Sequence, residues 1–247
     1  MIKILSFWLL SMALLVSWEA LLIQPIRLFY WLAICLISSA VLGWLATKSD
    51  ENTIHANIDR LVFVVFSLGV FWWLLWIDYE YLKFAFPVIV WVILLYSTKD
   101  LWKSKSEVLN SKTRLVLFFG GIFFWSAISF GLISVVGWQI WHAIGLFMVS
   151  FAILSYSVIE NITISSNQHI QSWLLLLLIS AEVFSVIVWL PFTESTLALI
   201  LTIISLFTYD LLKYFINPEL IRKKIILKKI IVYVVFLIFI LVSTPWY

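Results

Sequence analysis

Residues 115–136 read LVLFFGGIFFWSAISFGLISVV, a run of 22 residues without one charged side chain. As an α-helix rising 1.5 Å per residue it would be about 33 Å long, enough to cross the roughly 30 Å hydrocarbon layer of a bilayer. A strand of a membrane barrel needs only about ten residues and alternates apolar with polar side chains. No such alternation is present here. Each unpaired backbone group in hydrocarbon costs several kcal/mol, so a helix that satisfies its own backbone is the conformation this stretch must take.

The rest of the chain repeats the pattern. Hydrophobic residues make up 64% of the sequence and charged residues 12%, against about 45–50% and about 25% in soluble domains. So little polar surface cannot cover a water-facing globule. Runs bounded by charge or turn residues give nine candidate spans: Ile4–Ile23, Leu28–Ala46, Leu61–Ile77, Leu82–Thr98, Leu115–Val136, Gln139–Val158, Gln171–Leu190, Ser195–Phe215 and Ile230–Thr244. The expected fold is an all-α, polytopic integral membrane helical bundle of about nine transmembrane helices. It forms a single transmembrane domain over residues 1–247, with the basic loop 99–114 as its one internal division. The remaining connections are too short to bury a core of their own.

Charge distribution tests that count. With nine spans, one side of the membrane carries Lys3, Lys48, Arg60, Lys99, Lys103, Lys105, Lys112, Arg114, Lys213, Arg222, Lys223, Lys224, Lys228 and Lys229. That leaves only Arg27 and Lys83 of the 16 basic residues for the other side. The positive-inside rule then places the N-terminus in the cytoplasm and the C-terminal STPWY outside. A multi-pass protein of a bacterial-type plasma membrane is expected, with an organelle membrane as the alternative. The opening MIKILSFWLLSMALLVSW resembles a signal peptide without a small-x-small cleavage site, and is expected to stay as a first span. Trp18, Trp31, Trp72, Trp73, Trp76, Trp138, Trp141, Trp189 and Trp246 all fall near expected outer ends, as an aromatic belt at headgroup level would.

Ionisable groups inside spans are the candidates for chemistry, since each costs about 2.5–3.5 kcal/mol on insertion scales. Glu182 lies about nine residues in from the outer end of the seventh run, and Glu19 and His142 about four residues in from theirs. These three are the candidate proton- or ion-handling residues. Gln171, Glu182, Ser185 and Trp189 share one helical face, the polar stripe of that span, which is expected to meet protein. His142, Gly145, Val149 and Ala152 share a face with two small residues, suited to close helix packing. Glu182 could then be satisfied by His142, Ser185 or an aromatic donor, or by protonation. Asp210 is expected to pair with Lys213, one turn along. His55 and His169 are expected in cytoplasmic loops.

Arg222, Lys223, Lys224, Lys228 and Lys229 in IRKKIILKKII are candidate contacts for anionic headgroups, so the expected partners are the lipid bilayer and other membrane subunits, with no nucleic acid. The single Cys35 has no CxxC partner, and no spacing suggests a metal, a haem or another cofactor. No nucleophile elbow, phosphate loop or His-Glu-x-x-His is present. The five prolines fall at or near span ends and glycine totals seven, which suits poorly a transporter that unwinds helices at mid-membrane. The expected function is therefore a non-catalytic accessory, assembly or structural subunit of a membrane complex. A small proton- or cation-linked transporter using Glu182 is the alternative. An intramembrane enzyme acting on a lipid-like substrate is the second.

Overall fold

The computed structural model describes residues 2–46, 54–77, 80–103, 111–160, 162, 166–216 and 223–244. Among them are nine α-helices and no strand: α1 (Ile2–Ile23), α2 (Leu28–Ala46), α3 (Ile54–Trp73), α4 (Glu80–Lys103), α5 (Ser111–Ser134), α6 (Ile140–Ile159), α7 (Ser166–Ile187), α8 (Glu194–Ile216) and α9 (Lys223–Ser243). Eight contain an apolar stretch long enough to cross a membrane, while in α4 the apolar stretch is the shorter Lys83–Tyr96. The protein is a polytopic helical membrane bundle.

Helices outrun their apolar runs at the polar ends. α3 starts at Ile54 rather than Leu61, α7 at Ser166 rather than Gln171, and α9 at Lys223 rather than Ile230. The apolar run measures hydrocarbon thickness, whereas the hydrogen-bonded helix can continue into the headgroup layer. His55 and His169 consequently sit on the first turns of α3 and α7 and not in loops, and His169 is buried. Pro87 lies inside α4 rather than at its end, where it removes the amide that would donate to Lys83.

The chain divides into two compact units, 1–124 and 125–247, with the boundary inside α5. In the first unit α2 packs against both α1 and α3, and α4 packs against α1. Gly43 lets α2 come close to α3, since a Cβ there would stand 2.9 Å from the Arg60 carbonyl oxygen of α3. Asp59 and Arg114 pair near the starts of α3 and α5 at 2.6 Å, with side chains 4% and 2% exposed. Further along both helices, Phe66 and Trp73 of α3 pack edge-on or tilted against Phe124, with ring centroids 5.6 and 5.4 Å apart. Contacts that advance together along both chains make α3 and α5 parallel, so α4 must run back between their ends. Trp18, expected in the aromatic belt, is fully buried. Its indole lies beside the Cys35 thiol, which itself approaches the Ser67 carbonyl at 3.8 Å.

In the second unit α7 packs against α6 and α8, and α8 against α9. Its core is a stack of three rings: Phe184 of α7 lies 4.4 Å from Phe130 of α5 and 5.0 Å from Phe147 of α6. Trp173 of α7 donates its indole N–H to the Ala152 carbonyl of α6. Gly137, with φ +73°, turns the chain between α5 and α6, a conformation that costs glycine little. Trp138 and Trp141, around the start of α6, and Trp189, just past the end of α7, are exposed. Trp246 lies outside the described residues.

Candidate functional site

Several interior hydroxyls are satisfied without crossing to a neighbour. Ser17 donates to Leu14, Ser129 to Trp125, Ser150 to Leu146 and Thr202 to Ala198, each to a carbonyl of its own helix. This back-bonding removes the cost of a buried hydroxyl within one turn. Carboxylates have no such escape, because the helix N–H groups are already used. The acidic residues of the spans are therefore where function or assembly is to be sought.

Asp210 is the better supplied. Its Oδ2 accepts from Lys229 Nζ at 2.8 Å and from the Tyr233 hydroxyl at 2.7 Å, both on α9. The expected partner, Lys213 on the same helix, is replaced by a residue 19 positions away, because α9 lies alongside α8 and brings a cation and a hydroxyl to the same depth. The Lys229 ammonium also stands 5.5 Å over the Tyr214 ring, a cation–π contact, and Tyr233 is edge-on to Phe207. This cluster ties α9 to the bundle. Apart from it α9 has little hold: Ile240 is its one buried side chain among those described, and Leu227, Ile231, Val232, Val235, Phe239 and Val242 are all exposed.

Of the basic residues expected at anionic headgroups, Lys228 is exposed, whereas Lys229 is taken up by Asp210. Arg222 lies outside the described residues, as do the side chains of Lys223 and Lys224.

Glu182 is differently placed. α7 ends at Ile187, so Glu182 is five residues from its C-terminal end, about 7.5 Å at 1.5 Å per residue. Its side chain is exposed, and it makes no hydrogen bond or ion pair with any described residue. No other helix of this chain covers that side chain. The inward face of α7 is His169, Ser172, Leu176, Ser180, Phe184 and Ile187, all buried. Gln171, Leu174, Leu175, Leu178, Glu182, Val186 and Trp189 point outward. The two sets interleave at three- and four-residue steps, so Phe184 in the ring stack fixes Glu182 to the opposite side. Ser185, the remaining member of the expected stripe, turns back to the Ala181 carbonyl at 2.8 Å.

His142 is exposed as well, two residues into α6, with its ring edge-on to Trp138 at 6.3 Å. It does not pair with Glu182. On the same face of α6, Gly145 is open, with nothing within 4 Å of where a Cβ would stand. Glu19, four residues from the end of α1, is half-buried and likewise has no polar partner among the described residues; it belongs to the first unit, His142 and Glu182 to the second. No group of three or more His, Cys, Asp or Glu side chains comes together among the described residues.

The Asp59–Arg114 pair gave no sequence signal, since its members are 55 residues apart and each looks like an ordinary charge at a helix end. The Asp210 cluster had a partial signal: an acid near one helix end and a Lys-Lys pair near the start of the next. No protein family, curated protein or solved structure matches the chain.

Proposed function

We propose that the chain is a non-catalytic component of a membrane complex, an accessory or assembly subunit whose α7 presents a docking surface to another membrane helix. The outward position of Glu182 carries this reading. A carboxyl facing hydrocarbon is costly, whereas the same group between two helices can hydrogen-bond. Two other acids of the chain do hold helices together, at Asp59–Arg114 and Asp210–Lys229. Transport through Glu182 would need that residue to line a path within the chain, and its exposure on the outer side of α7 speaks against it. We place the N-terminus and the basic residues, including Lys228 and the expected Arg222, Lys223 and Lys224, on the cytoplasmic side at anionic headgroups, where each is worth on the order of 1 kcal/mol.

The test is intact mass after extraction into lipid nanodiscs from the native membrane. An assembly heavier than the 28.8 kDa chain supports the subunit reading. A solitary 28.8 kDa chain that drives proton flux in proteoliposomes, and loses it on Glu182→Gln, would refute it in favour of a carrier.

A further inference from the structure

Side-chain contacts fix the register of the seam between α8 and α9. Phe207 meets Tyr233, Asp210 bonds both Tyr233 and Lys229, and Tyr214 lies under the Lys229 ammonium. Residue numbers rise along α8 as they fall along α9, so the two helices are antiparallel. The same register sets Lys213 about level with Lys228. With 3.6 residues per turn, Lys213 is about 60° round α8 from Asp210, and Lys228 about 100° round α9 from Lys229. Between antiparallel right-handed helices these two rotations lead to the same side of the seam. Leu211 and Phe215, both exposed, turn to the other side.

That side gathers three ammonium groups and one carboxylate. Lys228 is exposed and Lys213 half-buried, and neither makes a hydrogen bond or ion pair with a described residue. Lys229 lies between them, held by Asp210 yet with its side chain 42% exposed. Asp210 offsets one of the three charges. Glu194, the other acid of α8, is at the opposite end of that helix, and α9 has no acid. Glu219, in the connection between the helices, lies outside the described residues.

Depth and surroundings say which anion fits. Lys213 is three residues from the end of the crossing stretch of α8, and Lys228 two from the start of that of α9. Both are thus within about 5 Å of the hydrocarbon edge, where lipid phosphates begin. Toward mid-membrane from Lys228, on the same face of α9, Val232, Val235 and Phe239 are exposed, a track for an acyl chain. A phosphate accepts charge-assisted hydrogen bonds from several ammoniums at once. A zwitterionic headgroup would bring its own cation to a place that already has an excess of them.

We propose that Lys213, Lys228 and Lys229 bind the phosphate of one anionic phospholipid at the α8–α9 seam. The proposal rests on the headgroup placement given above, which it narrows to a single site, and is independent of the subunit reading.

Native mass spectrometry of the full-length protein in neutral detergent, titrated with phosphatidylglycerol or phosphatidylcholine, tests it. The first phosphatidylglycerol should bind at least about tenfold tighter than phosphatidylcholine, and Lys213→Gln or Lys228→Gln should each remove about tenfold, the worth of a hydrogen bond to a charged group. Lys213→Arg and Lys228→Arg should retain the preference. The double glutamine variant should bind little worse than either single, since both lysines touch one phosphate. Losses that multiply in the double variant overturn the single site and leave the spread headgroup contacts standing. Indifference to Lys213→Gln also overturns it, as would follow if Glu219 supplied the counter-charge. A wild-type chain with no preference for phosphatidylglycerol overturns the site and the headgroup placement together. Displacement of the lipid by an equal concentration of inorganic phosphate would mark a site for the free ion and overturn the lipid assignment.

Discussion

Replacing Asp59 with asparagine keeps the shape of the side chain and removes the charge that faces Arg114. Both members of the pair are almost wholly shielded, 4% and 2% exposed, and stand 2.6 Å apart. Removing one partner of such a pair leaves the other charge buried without this counter-charge, which costs about 3–5 kcal/mol. At about 2–4 °C per kcal/mol for a protein of this size, Tm should fall by about 6–20 °C. Cys35 supplies the assay, because it is the single cysteine and is fully buried between α2 and α3. A fluorogenic maleimide in lipid nanodiscs should therefore react only as the first unit opens. The double variant Asp59→Leu/Arg114→Met should recover most of the loss, since exchanging a whole buried pair for apolar groups of similar volume is often neutral or better. A Tm change below about 2 °C for Asp59→Asn, or a double variant as unstable as the sum of the singles, would refute the role of this pair in joining α3 to α5.

Three further predictions follow from other contacts. Gly43→Ala should destabilise by about 1–3 kcal/mol, because its Cβ would meet a backbone oxygen that cannot step aside; Gly145→Ala, which points into open space, should be neutral or stabilising by up to about 1 kcal/mol. The same Cys35 melting curve checks the first, and α6 amide exchange the second. Asp210→Asn should weaken the hold on α9 by about 1–2 kcal/mol, the worth of a charge-assisted hydrogen bond in a partly exposed setting. Amide exchange over residues 226–243 should then speed up by about 5- to 30-fold, and unchanged protection would show that Asp210 does not anchor the helix. Cysteines at Ser111 and Ser195, both exposed near the starts of α5 and α8, should label from opposite faces of the membrane in a Cys35-free chain; same-face labelling would sink the orientation proposed here.

The helices were legible because hydrocarbon imposes one requirement on every crossing segment, and runs such as 115–136 announce it residue by residue. Their polar ends were not, because Ile54–Arg60 and Lys223–Lys229 read as charged connections although the hydrogen-bond ladder continues through them. The stripe on α7 was legible as a stripe, since its period depends only on the helix. Its direction was not. Which way Glu182 points depends on Phe184 finding Phe130 and Phe147, and contacts 54 and 37 positions away leave no periodic trace. The expected Asp210–Lys213 pair failed for the same reason: proximity along one helix lost to a neighbouring helix that offered two donors to a single oxygen. Trp18 shows the limit of reading aromatic residues by position alone, since a tryptophan four turns from the start of a helix can face inward as easily as toward headgroups.

The Asp210 cluster also imposes an order on biosynthesis. Its acid is on α8, and both donors, Lys229 and Tyr233, are on α9, 19 and 23 residues later. Until α9 has been made, a lone carboxyl on α8 has neither of them. α9 itself is apolar on almost every side and can enter the bilayer without help from the helices before it. Pairing of Asp210 therefore waits on α9, and a chain that stops short of residue 229 leaves the membrane holding an acid whose counter-charge never arrives.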